Sequence, residues 1–198
     1  MRAVRMTAAL IIAAILAGLS ATFLGLIDAG RDIDGSLSRL EREASTLRRT
    51  TTDVINHAGP AEATNRPRNS LKKMIDTFGA GGDRAIRDSA TPYLDGVALW
   101  LGRRMDLVPP VEAIDKAFSD YVSQAKQAQA DARKSESAAT LAARMLDLSG
   151  EQMVQRIEDA RDRTRQSVAS AMNALQLITF ISIGIAALAV CLTPDQYS

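Results

Sequence analysis

Two long runs without a single charge bracket this chain, and they constrain it more than any other feature. The first is Thr7 to Ile27, "TAALIIAAILAGLSATFLGLI"; the second is Ala174 to Leu192, "ALQLITFISIGIAALAVCL". As helices they extend roughly 31 and 28 Å, close to the thickness of a bilayer's hydrocarbon core. Both are apolar on every face, which disfavours an amphipathic hairpin of a soluble protein. Between them, residues 28–173 hold 22 of the 24 basic and 22 of the 23 acidic residues. The chain therefore reads as two transmembrane helices around a hydrophilic domain.

A cleaved signal peptide is the alternative for the first run, because Arg2 and Arg5 precede it. The run is longer than a signal peptide's apolar region, and Gly18-Leu19-Ser20 is its nearest small-x-small triplet, so an uncleaved anchor is expected. Arg2 and Arg5 favour a cytoplasmic N-terminus over residues 1–6. Residues 28–173 form too long a connection for their own charges to oppose export. The expected order is then transmembrane helix 7–27, exported domain 28–173, transmembrane helix 174–192 and a short cytoplasmic tail, 193–198. Net charge is +1, which gives no electrostatic reason to expect nucleic acid. The lone cysteine, Cys191, cannot form an intramolecular disulfide; it reads as a small apolar residue, with acylation or a dimer cross-link as alternatives.

The middle of the chain carries helical periodicity throughout. Ile33, Leu37, Leu40, Ala44, Leu47, Thr51, Val54 and Ala58 alternate steps of four and three, a heptad seam that Gly59-Pro60 ends. A less regular region follows: Leu71, Met74, Ile75 and Phe78 form one stripe, and "GAGGD" (79–83) reads as a flexible bend. Thr91-Pro92 reads as an N-cap with proline at the first helical position, opening a stripe of Leu94, Val97, Leu101 and Met105. "VPPVE" (108–112) closes the region. A third helix begins near Pro110 and its seam runs through Val111, Ile114, Phe118 and Tyr121 to Leu146. "LDLSGEQ" (146–152) reads as a break with a capping box at Ser149 and Gln152. The last helix then carries Met153, Ile157, Ala160, Thr164, Val168, Ala171 and Leu175 into the second span. Both spans must start at one membrane surface, so the expectation is all-α: an up-down-up-down four-helix bundle continuous with two transmembrane helices. The periodicity is nowhere that of alternating strands.

No motif of catalysis is present, so an enzyme, a cofactor and a metal are not expected. His57 is the only histidine and has no cysteine or histidine at ligand spacing. "GAGGD" lacks the Lys-Ser/Thr of a phosphate loop. The carboxylate pairs lie among arginines, as on a solvated helix face. One cluster has ligand chemistry: "LRRTTTD" places Arg48, Arg49, Thr51 and Thr52 toward the distal end of the first helix. An arginine fork there can hold a carboxylate, with threonine adding a hydrogen bond. A charged surface with β-branched filler is the plainer reading. Small residues at Ala14, Gly18, Thr22 and Ala21, Gly25 in the first span, and Ser182, Gly184, Ala186 in the second, permit close helix approach and homodimerisation.

Taken together, the Arg-flanked first span, the heptad helix 33–58 continuous with it and the helix 151–173 continuous with the second span resemble the N-terminal sensory half of a methyl-accepting chemotaxis receptor. The resemblance is one of architecture over residues 1–192. It implies a sensor in a bacterial inner membrane, with its domain in the periplasm, a homodimer, and a small-molecule ligand or a periplasmic binding protein as partner. Arg48 and Arg49 occupy a region comparable to that family's ligand arginines. The family continues into a HAMP linker and a cytoplasmic coiled coil; here only "TPDQYS" follows the second span, with Pro194 at a plausible linker position. The expected function is thus a chemoreceptor-like input module without its own output. The alternative is a two-span membrane interaction or scaffold protein that modulates a partner.

Overall fold

A computed structural model describes residues 2–57, 59–132 and 136–191. Among these the fold is all-α, with five helices: α1 Arg2–Asn56, α2 Asn65–Ser89, α3 Asp95–Arg104, α4 Val111–Ala132 and α5 Glu136–Cys191; a single 3-10 turn, Ala61–Thr64, precedes α2. The two long end helices pack on each other, and each contains a stretch long and apolar enough to cross a membrane. Ala58, Ser135 and residues 192–198 lie outside the described residues, so the end of the second span and Pro194 do as well. Placement of the Arg2, Arg5 and Cys191 side chains is likewise outside the description.

The heptad seam is the backbone of the core. Ile33, Leu37, Leu40, Ala44, Leu47, Thr51 and Val54 are all buried on α1. They meet Leu71, Ile75, Phe78 and Ile86 of α2, Ile114, Phe118, Tyr121 and Ala128 of α4, and Leu146, Met153, Ile157 and Ala160 of α5. Burying one such leucine contributes about 1.5–3 kcal/mol, and truncating Leu37 or Leu40 to alanine costs about 2–5 kcal/mol. α1 ends where the amides of His57 and Gly59 turn back to the carbonyls of Asp53 and Val54 (3.0 and 2.9 Å), and Pro60 has no amide with which to continue.

Three ion-pair levels set the register of α1 against α5. Arg48 meets Asp147 and Glu151, Arg161 meets Asp34 and Glu41, and Arg165 meets Asp34. Nearer the apolar segments, a Cβ on Gly30 would overlap Val168. Each step up α1 is matched by one step back along α5, so the two helices pack antiparallel.

The connections depart from the sequence expectation in four places. First, "GAGGD" is no bend: α2 runs through it, and the space its glycines leave is filled from outside. A Cβ at Gly82 would come within 2.5 Å of Val108 Cγ1, and one at Gly79 within 3.4 Å of Val111 Cγ1. Second, Thr91 does not cap a helix. The Leu94 amide donates to the Thr91 carbonyl (2.9 Å), closing a turn with Pro92 and Tyr93 at its centre. This turn reverses the chain, so α3 and α4 both run back up and the double proline only divides them. Third, the residues that α3 buries fully are Ala98 and Gly102; of the expected stripe, Leu101 and Met105 pack half-buried against the core, and Val97 is exposed. Fourth, Ser149-Gly150 is not a break. α5 is one unbroken helix from Glu136 to Cys191, and α4 has already ended at Ala132. The small residue at Gly150 is needed because a Cβ there would lie 2.9 Å from Cγ and Cδ of Arg48 and 3.3 Å from Cε2 of Tyr121.

Candidate functional site

The sequence placed Arg48, Arg49, Thr51 and Thr52 on one short stretch of α1, and the helix distributes them over different faces. Arg48 and Thr51, three residues apart, point toward the interior, whereas Arg49 is exposed and makes no ion pair among the described residues. Thr52 is half-buried in an open groove with Ile55, Asn56, Ala139, Thr140 and Asp147.

Arg48 reaches across the face vacated by Gly150. Its Nε donates to Asp147 Oδ1 (2.8 Å) and its terminal NH2 to Glu151 Oε1 (3.0 Å). Two carboxylates one turn apart on α5 therefore hold the guanidinium. Partial burial acts to lower its pKa, but the bonds it donates to Asp147 and Glu151 and the negative charge of both outweigh that and raise it, so the side chain is a permanent cation. An incoming carboxylate would compete with these two for the same fork.

Beneath Arg48 lie two buried hydroxyls. Thr51 Oγ1 donates to the Leu47 carbonyl (2.7 Å), the ordinary back-bond of a threonine inside a helix. Tyr121, 1% exposed, has a buried hydroxyl with no hydrogen-bond partner. Thr51 and Arg48 stand close enough to favour its ionised form, but burial dominates and pushes the phenol up. Thr51's own proton is already committed, and the two hydroxyls do not meet hydrogen-bond geometry. An unpaired polar atom in a core is costly, and its presence beside an arginine is what distinguishes this spot from an ordinary packed layer.

Tyr121, Asp147 and Glu151 were not singled out from the sequence. Asp147 and Glu151 are 99 and 103 residues from Arg48, Tyr121 is on another helix again, and no spacing rule connects them. Tyr121 carried one signal: it is the only phenol on the α4 seam, at the point where that seam becomes Ala-rich.

A second polar layer lies closer to the apolar segments of α1 and α5. Arg161 donates from Nε to Asp34 and from a terminal nitrogen to Glu41, each 2.9 Å, and Arg165 adds a bond to Asp34 (3.0 Å). Lys72 bridges Asp115 of α4 (2.7 Å) and Asp76 of α2 (3.0 Å), and its bond to Asp115 raises the pKa of the amine. The loop between α3 and α4 is held to α5 by hydroxyls: Ser167 donates toward the Met105 carbonyl, and Thr164 toward those of Ala160 and Leu107. Among the described residues no group of His, Cys, Asp and Glu has the arrangement of a metal site.

Comparison with protein-family models, curated proteins and solved structures finds no match to this chain.

Proposed function

We propose that this chain is the input module of a membrane signalling system: an up-down-up-down four-helix bundle, its first and last helices continuing as two transmembrane helices. In this reading α1 ascends from the cytoplasmic side, α2 descends, α3 with α4 ascends, and α5 descends through the second span. The bundle lies outside the cytoplasmic membrane of a bacterium and takes a small carboxylate or a periplasmic binding protein near its distal end; two copies associate. The observation that carries this is continuity. The Arg48 centre and both apolar segments sit on the same two unbroken helices, so a change at one end has a rigid route to the other. The unpaired Tyr121 hydroxyl supports a polar ligand or water at that end.

The test is thermal unfolding of the full chain in lipid nanodiscs against amino acids and small organic acids. A true ligand at a hundred times its Kd stabilises by about 2.7 kcal/mol, and Arg48→Ala abolishes the effect. If no acid shifts the transition while the intact protein co-purifies with a stable membrane partner, the sensor reading fails.

A second reading has one observation in its favour. Leu141, Met145 and Leu148 lie at i, i+4 and i+7 on distal α5, and all three are exposed. That stripe suits a partner helix, as the interaction or scaffold alternative requires.

A further inference from the structure

The turn that joins α2 to α3 reaches far below the charged bundle. A Cβ on Gly25 would overlap the Ser89 carbonyl, and one on Gly18 would lie 3.7 Å from Leu94 Cδ1. Higher up, a Cβ on Gly102 would contact Ile86 and Leu26. The hairpin 86–102 is thus packed lengthwise along α1 from Leu26 down to Gly18. Gly18 is nine residues, about 13 Å, inside the first apolar run from Ile27. A soluble domain standing clear of the bilayer has no reason to place a loop there.

We propose that this hairpin is a membrane-interface anchor around which the outer leaflet thins, so that the headgroup layer descends beside residues 18–27 of α1 and the hairpin's tip meets the top of the acyl chains near Gly18. The proposal rests on the two-span reading above. What the hairpin presents outward is the composition of such a layer. Tyr93 at the tip is 99% exposed, Trp100 64% and Val97 43%. Tyrosine and tryptophan are favoured where an apolar body and a polar tip meet the membrane surface. Arg87 and Arg104 are exposed and without ion pairs among the described residues, and they lie at the hairpin's upper end, level with phosphates. Asp88 and Asp95, also exposed, keep the element in the interface and out of the hydrocarbon.

Tyr93 carries a further mark. Its φ is 74°, a left-handed conformation that glycine or asparagine adopts far more readily. A bulky aromatic held in that conformation, and fully exposed in the protein alone, packs against nothing within the chain. Such backbone outliers concentrate at functional positions. The lipid layer at that height is the environment that gives the ring a role.

Trp100 is the only tryptophan of the chain, so its fluorescence reports on the hairpin directly. The full chain is reconstituted in phosphatidylcholine–phosphatidylglycerol vesicles, with and without phosphatidylcholine brominated high on the acyl chain. Carbonate extraction of the same vesicles checks the spans independently. The expected result is carbonate-resistant protein, blue-shifted emission, and roughly twofold quenching by the bromolipid with weak quenching by aqueous iodide. A Trp100→Phe, Tyr93→Trp chain is expected to be quenched more strongly by bromine near the headgroup, and Tyr93→Asn, which suits the backbone, to lose none of the fold. If the protein resists carbonate but Trp100 is quenched by iodide and ignores bromolipid, the anchor is overturned while the spans stand. If Trp100 is shielded from both quenchers and Tyr93→Cys chains lacking Cys191 cross-link to each other, a second copy covers the hairpin and the proposal is equally overturned. Release by carbonate removes the two-span reading itself, and the anchor with it.

Discussion

Arg161 and Asp34 are 127 residues apart in the chain and 2.9 Å apart in space, Nε to Oδ1. The same guanidinium reaches Glu41, two turns further up α1, so one residue of α5 spans two levels of its neighbour. Arg161 is 23% exposed and Asp34 28%, whereas Arg165, the other partner of Asp34, is 53% exposed.

A double-mutant cycle on Arg161→Met and Asp34→Asn is expected to return a coupling of about 0.5–1 kcal/mol, since a quarter-exposed pair is screened well below the value of a dry one. The Arg165→Met, Asp34→Asn cycle returns less. Helical circular dichroism of the full chain during heating measures both. Equal couplings would show that solvent exposure does not rank these pairs.

Arg48→Ala should lower stability and Arg49→Ala should not, although the two are adjacent. The first leaves Asp147 and Glu151 without their cation, at a cost of about 1 kcal/mol; the second alters an unpaired surface charge and stays within about 0.5 kcal/mol. Arg48→Lys is expected to fall between, because an ammonium cannot present the same fork. Identical melting of all three variants would remove the clasp from the account.

Tyr121→Phe deletes a buried hydroxyl that has no partner, and it is expected to stabilise the protein by about 1 kcal/mol. A pH dependence follows. The folded state holds the phenol's pKa above its ordinary value of 10.0, so the unfolded chain releases this proton first. Stability is intact below pH 10 and falls as pH rises beyond it. Alkaline unfolding of Tyr121→Phe should therefore begin later than that of the wild type. Destabilisation by the phenylalanine would mean that the hydroxyl is satisfied by a bound molecule.

Gly30→Ala and Gly35→Ala are separated by five residues of one helix and should move stability in opposite directions. At Gly35 nothing lies within 4 Å of an added Cβ, so the better helix former gains about 0.5–1 kcal/mol. At Gly30 the methyl would collide with Val168 and crowd Leu107, costing about 1–3 kcal/mol as α5 is pushed away. Two stabilising substitutions would contradict the close approach of α1 and α5.

Much of this was readable beforehand where the period was clean. The seam from Ile33 to Val54 is buried residue for residue, and Met153 to Ala171 nearly so. The connections were harder, for a physical reason. Glycine is read as a break because of its conformational freedom, yet at Gly82 and Gly150 it sits inside a helix to admit a neighbour's side chain. Nothing local distinguishes the two uses, because Val108 and Arg48 are remote in sequence. The Thr91-Pro92 pair was ambiguous in the same way: a helix start and a turn share the same first two residues. Of the arginine cluster, the helical period sufficed to turn Thr51 inward, but the partners of Arg48 come from a helix nearly 100 residues later.

The loop between α3 and α4 is fastened to α5 through Ser167 and Thr164, just below the Arg161 pairs and beside the tight fit of Gly30 on Val168. These contacts act together like the teeth of a rack. Moving α5 lengthwise by a single residue would disengage hydroxyls, guanidinium and methyl groups at once, whereas pivoting about the same patch leaves most of them meshed. A lengthwise shift of α5 therefore has more contacts to break at the Leu107–Thr164 level than a pivot about it does.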